Sequence, residues 1–438
     1  MSDTSFDAIV IGAGSGGLSF GQTAAKLGAR VAVIEKDRLG GTCVNRGCVP
    51  KKLMWTLAHA VKQSRELATQ GILEAAPAIN MATFRTKSDA HVNGIVDSFN
   101  ETLDDAGVAV FRGSGLISAP GEITLGEQIL RADKIVVATG GRPARPDIDG
   151  AELCKVSDDI LAMTDLPDSI VVVGGGYIGC EFASILAGLG VDVTLVSDGD
   201  AVLTEFSAPL QILAEANLKA QGCSVVLNAR PQRVERSGDT LRVTLEDGST
   251  LDVADVLLAT GRAPNLDVLG ALAEDVNLSD SGQIDIDDGF ATSVPNLFAI
   301  GDCTTRLPLT PVATDDGRVL ALNLFGGGAD PVATSHIATT AFLMPPLAEV
   351  GATDDLAKGT DFQSLSEGVL SSGQKHAWHV ALDGDQITGL AFAADGAGEA
   401  AGFMAQIVAA EMPRKTATQA LPVHPSSSEE IFDALKTD

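Results

Sequence analysis

The sequence predicts an α/β fold: two Rossmann-like dinucleotide-binding units and a smaller C-terminal α+β domain. Three observations predict it: a glycine fingerprint that occurs twice, apolar β-branched runs flanking each copy, and a change of texture after Val332. A chain of 438 residues, at about 100 to 200 residues per domain, holds two to four domains. Hydrophobic residues make up 45% and charged residues 20%, which disfavours disordered, collagen-like and coiled-coil readings.

The first copy reads IVIGAGSGG from Ile9 to Gly17 and the second VVVGGGYIG from Val171 to Gly179. An offset of 162 residues superimposes Gly12, Gly14 and Gly17 on Gly174, Gly176 and Gly179. In each copy a helical pattern follows the glycines, Gly28 or Gly190 ends it, and a second apolar run follows, Val31 to Ile34 or Val191 to Val196. That is the βαβ context the fingerprint requires. The first glycine allows a tight turn, the second lets a pyrophosphate approach backbone N–H groups, and the third lets helix and strand pack closely. Two copies imply two dinucleotides.

The first unit ends its second strand in Glu35, 23 residues after Gly12, where a carboxylate can accept hydrogen bonds from an adenosine ribose. The same offset from Glu35 lands on Ser197, so the second ribose is read differently, by Asp198 next door. No Lys or Arg lies between Ser197 and Leu218, while Asp198, Asp200 and Glu205 cluster where a 2′-phosphate would sit. Repulsion of that phosphate favours NADH over NADPH.

Between the first unit and the next helical stretch lies GGTCVNRGCVPKK, Gly40 to Lys52. The five-residue step from Cys43 to Cys48 rises about 7.5 Å in a regular helix, whereas bridged Cα atoms lie about 4.4 to 6.8 Å apart, so a disulfide here needs a distorted turn. Gly47 supplies the freedom for one, and Pro50 suits a first helical turn. Zinc would require tighter cysteine spacing and two more ligands, so no metal site is expected. The spacing leaves open a redox pair and two unrelated buried cysteines.

This segment resembles the FAD-dependent pyridine nucleotide disulfide oxidoreductases (class I), and is most like the glutathione reductase branch. The resemblance implies an electron relay, from NADH or NADPH through FAD to a Cys43–Cys48 disulfide and on to a small disulfide by thiol exchange. It makes Cys43 the interchange thiol and Cys48 the charge-transfer thiolate beside the flavin. It further implies an ion pair of Lys51 with Glu181 near the flavin, and Tyr177, the only tyrosine, as a gate over the nicotinamide pocket. FAD would be held by Gly12, Gly14, Gly17, Glu35, Lys36, Gly41, Thr42, Lys52, Thr139, Gly140, Arg262, Gly301 and Asp302. NAD(P) would be held by Gly174, Gly176, Tyr177, Ile178, Gly179, Ser197, Asp198 and Gly261. ATGGRP at Ala138 to Pro143 and ATGRAPN at Ala259 to Asn265 look like the family's crossovers between nucleotide domains, and LFAIGD at Leu297 to Asp302 looks like its second FAD motif.

By the same resemblance, residues 1–145 and 266–332 form the FAD domain, 146–265 the NAD(P) domain and 333–438 a dimerisation domain. In HPSSSEEIF, His424 oriented by Glu429 would reach into the partner's active site, making a homodimer with shared sites. The pattern breaks in places. No cysteine follows Cys303, which argues against mercuric reductase and large thioredoxin reductases. Of three substrate-contact positions, Gln22 and Phe99 depart from the glutathione reductase pattern and Arg318 keeps it. The two arginines that usually hold an NADPH phosphate correspond to Asp198 and Thr204.

A net charge of −28 and 4% aromatic residues exclude nucleic acid as a partner and anionic membrane surfaces with it. No apolar run spans a bilayer, and the first strand pattern begins at Phe6, so a cytoplasmic location without a signal peptide is expected. Cys154, Cys180, Cys223 and Cys303 read as buried apolar residues, and His376 and His379 as surface or interface residues rather than metal ligands. The rival functions are an NAD+-linked dihydrolipoyl dehydrogenase and a non-catalytic flavin redox sensor.

Overall fold

The computed structural model describes residues 4–353, 356, 359–362, 364 and 367–436. Its mixed α/β architecture divides into two units, each drawn from three stretches of chain. The first takes Met1–Lys51, Phe84–Pro143 and Arg262–Val332, and the second Lys52–Thr83, Ala144–Gly261 and Ala333–Asp438.

In the first unit the apolar runs become a parallel sheet. Ala109–Arg112, Val31–Glu35, Ser5–Ile11 and Gln128–Val137 lie side by side, and Leu297–Ala299 pairs with the last residues of Gln128–Val137, Leu297 opposite Ile135. The opening residues of Gln128–Val137 pair instead with an antiparallel meander, Leu116–Ala119 and Glu122–Leu125. Both sheet faces are covered, as continuous apolar strands require. Ile9, Ile11 and Ile34 enter one core, while Ala8, Val10, Val31 and Val33 enter the other. The helix Ser15–Lys26 crosses Thr310–Phe325 at Gly16 and Gly317, where a Cβ on Gly317 would stand 2.2 Å from the Gly16 carbonyl oxygen.

The second unit repeats the scheme. Ser224–Val226, Asp192–Val196, Ser169–Val173 and Asp255–Leu258 form a parallel sheet, and Pro231–Ser237, Thr240–Leu245 and Thr250–Val253 an antiparallel meander. The same unit carries a five-stranded antiparallel sheet in the order Thr339–Ala341, Leu347–Gly351, Gln386–Ala393, His376–Asp383, Gly359–Phe362. Helices Ala397–Ala409 and Ser428–Lys436 cover it around Trp378, which stacks on Phe392 with ring centroids 4.1 Å apart.

This sheet corrects the surface reading of His376. The residue is 2% exposed, its ring against Phe362, and neither ring nitrogen has a hydrogen-bond partner. Cys154, Cys180, Cys223 and Cys303 are buried, as expected. Among the described residues no helix is long and apolar enough to cross a membrane, and no cluster of three metal-ligating side chains occurs.

Candidate active site

The two fingerprints fold alike. Gly12 and Gly174 have φ +105° and +120°, and a Cβ on either would fall 2.4 or 2.3 Å from the carbonyl oxygen of Ala138 or Ala259. A Cβ on Gly17 or Gly179 would stand 1.9 Å from the carbonyl oxygen of Gly12 or Gly174, so the third glycine is what lets each helix meet its strand. The second glycine differs. A Cβ on Gly14 would meet nothing nearer than the Gly41 Cα at 3.9 Å, leaving a cradle in which backbone can receive a phosphate.

At the end of Val31–Glu35, the Glu35 carboxylate is 8% exposed and accepts N–H groups of Ala13 and Asp37, each at 2.8 Å. Each carboxylate oxygen retains acceptor capacity for a ribose hydroxyl. Lys36 beyond it is exposed, while Gly41 packs on Gly14 and opens the next helix, with Thr42 its second residue. Leu297–Ala299 delivers Gly301 and Asp302 to the sheet's carboxyl edge. Burial raises the Asp302 pKa above its ordinary 3.8, opposed by the Arg262 guanidinium. Arg262 also donates to the Gly141 carbonyl at 2.5 Å. The crossovers are clasped by Thr139 Oγ1 donating to the Asn265 carbonyl at 2.6 Å and Asn265 Nδ2 donating to the Thr139 carbonyl at 3.0 Å, with Gly140 between them at φ +62°. A fingerprint cradle, a buried ribose-level carboxylate and an edge aspartate are a donor and acceptor set that fits FAD.

Cys43 lies in the short helix Gly41–Arg46 and Cys48 opens Cys48–Thr69. Gly47 breaks helical geometry between them at φ −144°, ψ −118°, the kind of distorted turn that a disulfide at this spacing requires. Both are free thiols. The Cys43 pKa is raised far above 9.0, first by its hydrogen bond to Cys48 and then by burial, while Thr310 pulls it down. The Thr310 hydroxyl is 3.5 Å from the Cys48 sulfur. No sequence motif pointed to Thr310, although Pro311 marks the helix start that places it.

In the second unit a cavity of about 610 Å³ opens beside the second fingerprint, lined by Gly174, Gly176, Tyr177, Ile178, Asp198 and Gly261 among others. Tyr177 starts the helix Tyr177–Leu189 and is 39% exposed. Ser197 is 5% exposed and turns its Oγ toward the Gly199 N–H. The cation-free surroundings expected for Asp198 are corrected by folding: Arg230 also lines the cavity and binds Asp198 at 2.9 Å. Glu205, from the acidic cluster, accepts the Tyr177 N–H at 2.7 Å.

Other expected residues stand as follows. Glu181 is 4% exposed and accepts the Phe342 N–H at 2.9 Å. Lys51 opens its N–H to the Gly47 carbonyl at 2.9 Å. Lys52, expected at the cofactor, places its ammonium over the Trp55 and Phe342 rings at 4.1 and 3.9 Å, with Glu399 at 3.9 Å. Arg318 pairs with Asp315 at 2.7 Å, while Gln22 and Phe99 are half-buried on their helices. His424 Nδ1 stands 2.8 Å from Glu429 Oε2, and this bond holds the Glu429 carboxyl below its ordinary range.

A family described as pyridine nucleotide-disulphide oxidoreductase matches residues 6–317. A glutathione reductase of Burkholderia cepacia is 34% identical over 98% of both chains, and one of Nostoc sp. is 33% identical over 97% of this chain and 98% of its own. A trypanothione reductase of Trypanosoma congolense is 36% identical over 80% of this chain and 77% of its own. With its doubled fingerprint and paired thiols, the chain belongs to the pyridine nucleotide-disulphide oxidoreductase family.

Proposed function

We propose that this enzyme reduces a low-molecular-weight disulfide of the glutathione type with electrons from NADH or NADPH. The observation that carries this reading is the Cys43–Cys48 thiol pair at a helix break, in the same unit as a fingerprint that fits FAD. When bound, FAD supplies two-electron transfer between nicotinamide and sulfur. Residues 1–145 and 266–332 hold it, 146–265 take the nicotinamide coenzyme, and 333–438 join two copies into a homodimer. The cytoplasm is its proposed location.

The Cys43 thiolate attacks one sulfur of the substrate, forming a mixed disulfide and expelling a thiolate. His424 of a second copy, oriented by Glu429, gives that leaving group its proton. The Cys48 sulfur then attacks Cys43, releases the second thiol and closes the Cys43–Cys48 disulfide. Two electrons and protons restore the dithiol. Thr310 steadies the Cys48 sulfur, and Lys51 follows three residues on in the same helix. Substrate meets Gln22, Phe99 and Arg318, of which only Arg318 is charged.

Asp198 as a ribose acceptor supports NADH as the preferred donor. Arg230 favours a second reading, NADPH, because a 2′-phosphate could draw that guanidinium from Asp198. A stopped-flow titration tests the whole assignment: NADH and NADPH in turn, observation of a long-wavelength thiolate-to-flavin band, then reoxidation by glutathione disulfide or lipoamide. Reoxidation by glutathione disulfide is expected. Preferential reoxidation by lipoamide makes the chain a dihydrolipoyl dehydrogenase, and reoxidation by neither makes it a redox sensor.

A further inference from the structure

At the second fingerprint, unlike the first, a side chain from the loop after Asp192–Val196 reaches the glycine whose open backbone suits a pyrophosphate. Leu203 is fully buried at φ 52°, a left-handed conformation unfavourable for a branched side chain. Its surroundings enforce it. The Leu203 N–H donates to the Gly175 carbonyl at 2.7 Å, and the Phe206 N–H closes a turn on the Leu203 carbonyl at 2.8 Å.

That turn aims Glu205 at the start of Tyr177–Leu189. Its Oε1 accepts the Tyr177 N–H and stands 3.7 Å from the place a Gly176 Cβ would take. Gly176 is the glycine whose missing side chain opens the backbone to a pyrophosphate. A carboxylate and a pyrophosphate seek the same thing here, an amide at the positive end of a helix, and they repel each other. At the matching glycine of the first copy, Gly14, the nearest atom is the Gly41 Cα, and no carboxylate stands there. The first copy suits a cofactor that stays, and the second a coenzyme that must leave after each turnover.

We propose that Glu205 is a resident anion that the nicotinamide dinucleotide displaces from its pyrophosphate seat, so that this one side chain weakens binding of NAD(H) and NADP(H) alike and hastens their release. This rests on the reading of the second cavity as the nicotinamide coenzyme site.

Titration of the flavin-loaded wild type, Glu205→Gln and Glu205→Ala with NAD+ and NADP+ by calorimetry tests it. Glu205→Gln keeps an acceptor for Tyr177 if Glu205→Ala folds poorly. Both coenzymes are expected to bind the variants about tenfold more tightly, the reach of one charge-assisted hydrogen bond. A residue that only caps the helix would lower the melting temperature without tightening the coenzyme, and unchanged or weaker binding in both variants overturns the proposal. Wild-type protein that binds neither coenzyme sinks the nicotinamide reading itself, and the role of Glu205 with it.

Discussion

Cys43 donates its thiol proton to the sulfur of Cys48 across the break at Gly47, and this contact outweighs burial in raising the Cys43 pKa. Near neutral pH Cys43 therefore keeps its proton until a base takes it, and the Thr310 hydroxyl, which pulls the Cys43 pKa the other way, also lies 3.5 Å from the Cys48 sulfur. Cys43→Ser is expected to retain a long-wavelength thiolate-to-flavin band and Cys48→Ser to lose it, with disulfide reduction abolished in both. In the reduced protein, Cys48→Ala should bring the Cys43 pKa down toward 9.0 and speed its alkylation by iodoacetamide near pH 8, followed by mass spectrometry. A band that survives Cys48→Ser reverses the assignment.

The bond to His424 holds the Glu429 carboxyl below the ordinary carboxylate range, and the ionised carboxylate suits an imidazole that presents Nδ1–H to it and leaves Nε2 for the proposed proton transfer. His424→Ala is expected to lower kcat for disulfide reduction by about 10² to 10⁴ while leaving flavin reduction by NADH intact. Glu429→Gln, which loses the charge but keeps an acceptor, should cost about tenfold. Half the wild-type kcat in His424→Ala would remove the histidine from the mechanism.

Glycines of one motif differ in what a methyl group would do. At Gly179 a Cβ would lie 1.9 Å from the Gly174 carbonyl oxygen, and the helix must move away from its strand. Gly179→Ala should destabilise the second unit by about 1 to 3 kcal/mol or more. At Gly176 the nearest atom is the mobile end of Glu205 at 3.7 Å, so Gly176→Ala should fold normally yet bind NADH poorly. Thermal melts together with NADH titrations separate the two, and equal melting temperatures would contradict the packing account.

The fingerprints and the Gly47 break were legible because each is local: spacing along the chain decides which backbone groups meet, whereas the His424–Glu429 pair was legible only through the family resemblance. Gly12 and Gly174, 162 residues apart, reach the same geometry from the same neighbours. Long-range arrivals were not legible. Thr310 reaches Cys48 across 262 positions, by way of a helix crossing that depends on Gly16 and Gly317. Arg230 comes to Asp198 from just before the meander, in a stretch without a motif of its own. His376, separated by two residues from His379 in a strand-like run beside Trp378, read as a surface or interface residue, but its strand lies inside a five-stranded sheet whose order no short spacing discloses.

The Arg230–Asp198 pair is solvent-exposed, each side chain 62% accessible, so its strength is modest and its effect is on coenzyme choice. Asp198→Ala frees the guanidinium and removes the proposed ribose acceptor. It should raise KM for NADH and lower KM for NADPH, each by about three- to tenfold. Arg230→Ala should leave NADH use close to wild type and weaken NADPH further. Steady-state kinetics with both donors decide it, and an unaltered NADH to NADPH ratio in both variants removes the pair from coenzyme selection.

His376 makes acid a threat to the folded state. Burial lowers its pKa below 6.5, with Asp395 and Glu367 opposing and Lys62 adding to the shift, and no partner atom receives either ring nitrogen. His59 and His379 are lowered by burial as well. In the unfolded chain an imidazole takes its proton near 6.5, while in the folded chain it resists until lower pH. Within that window the unfolded state binds more protons, so stability falls as pH drops below 6.5 and is independent of these groups above it. Melting temperatures measured from about pH 8 to about pH 5 should decline on the acid side, and His376→Phe, which keeps an aromatic ring against Phe362, should flatten that decline. An acid slope identical in wild type and His376→Phe assigns the loss to other groups.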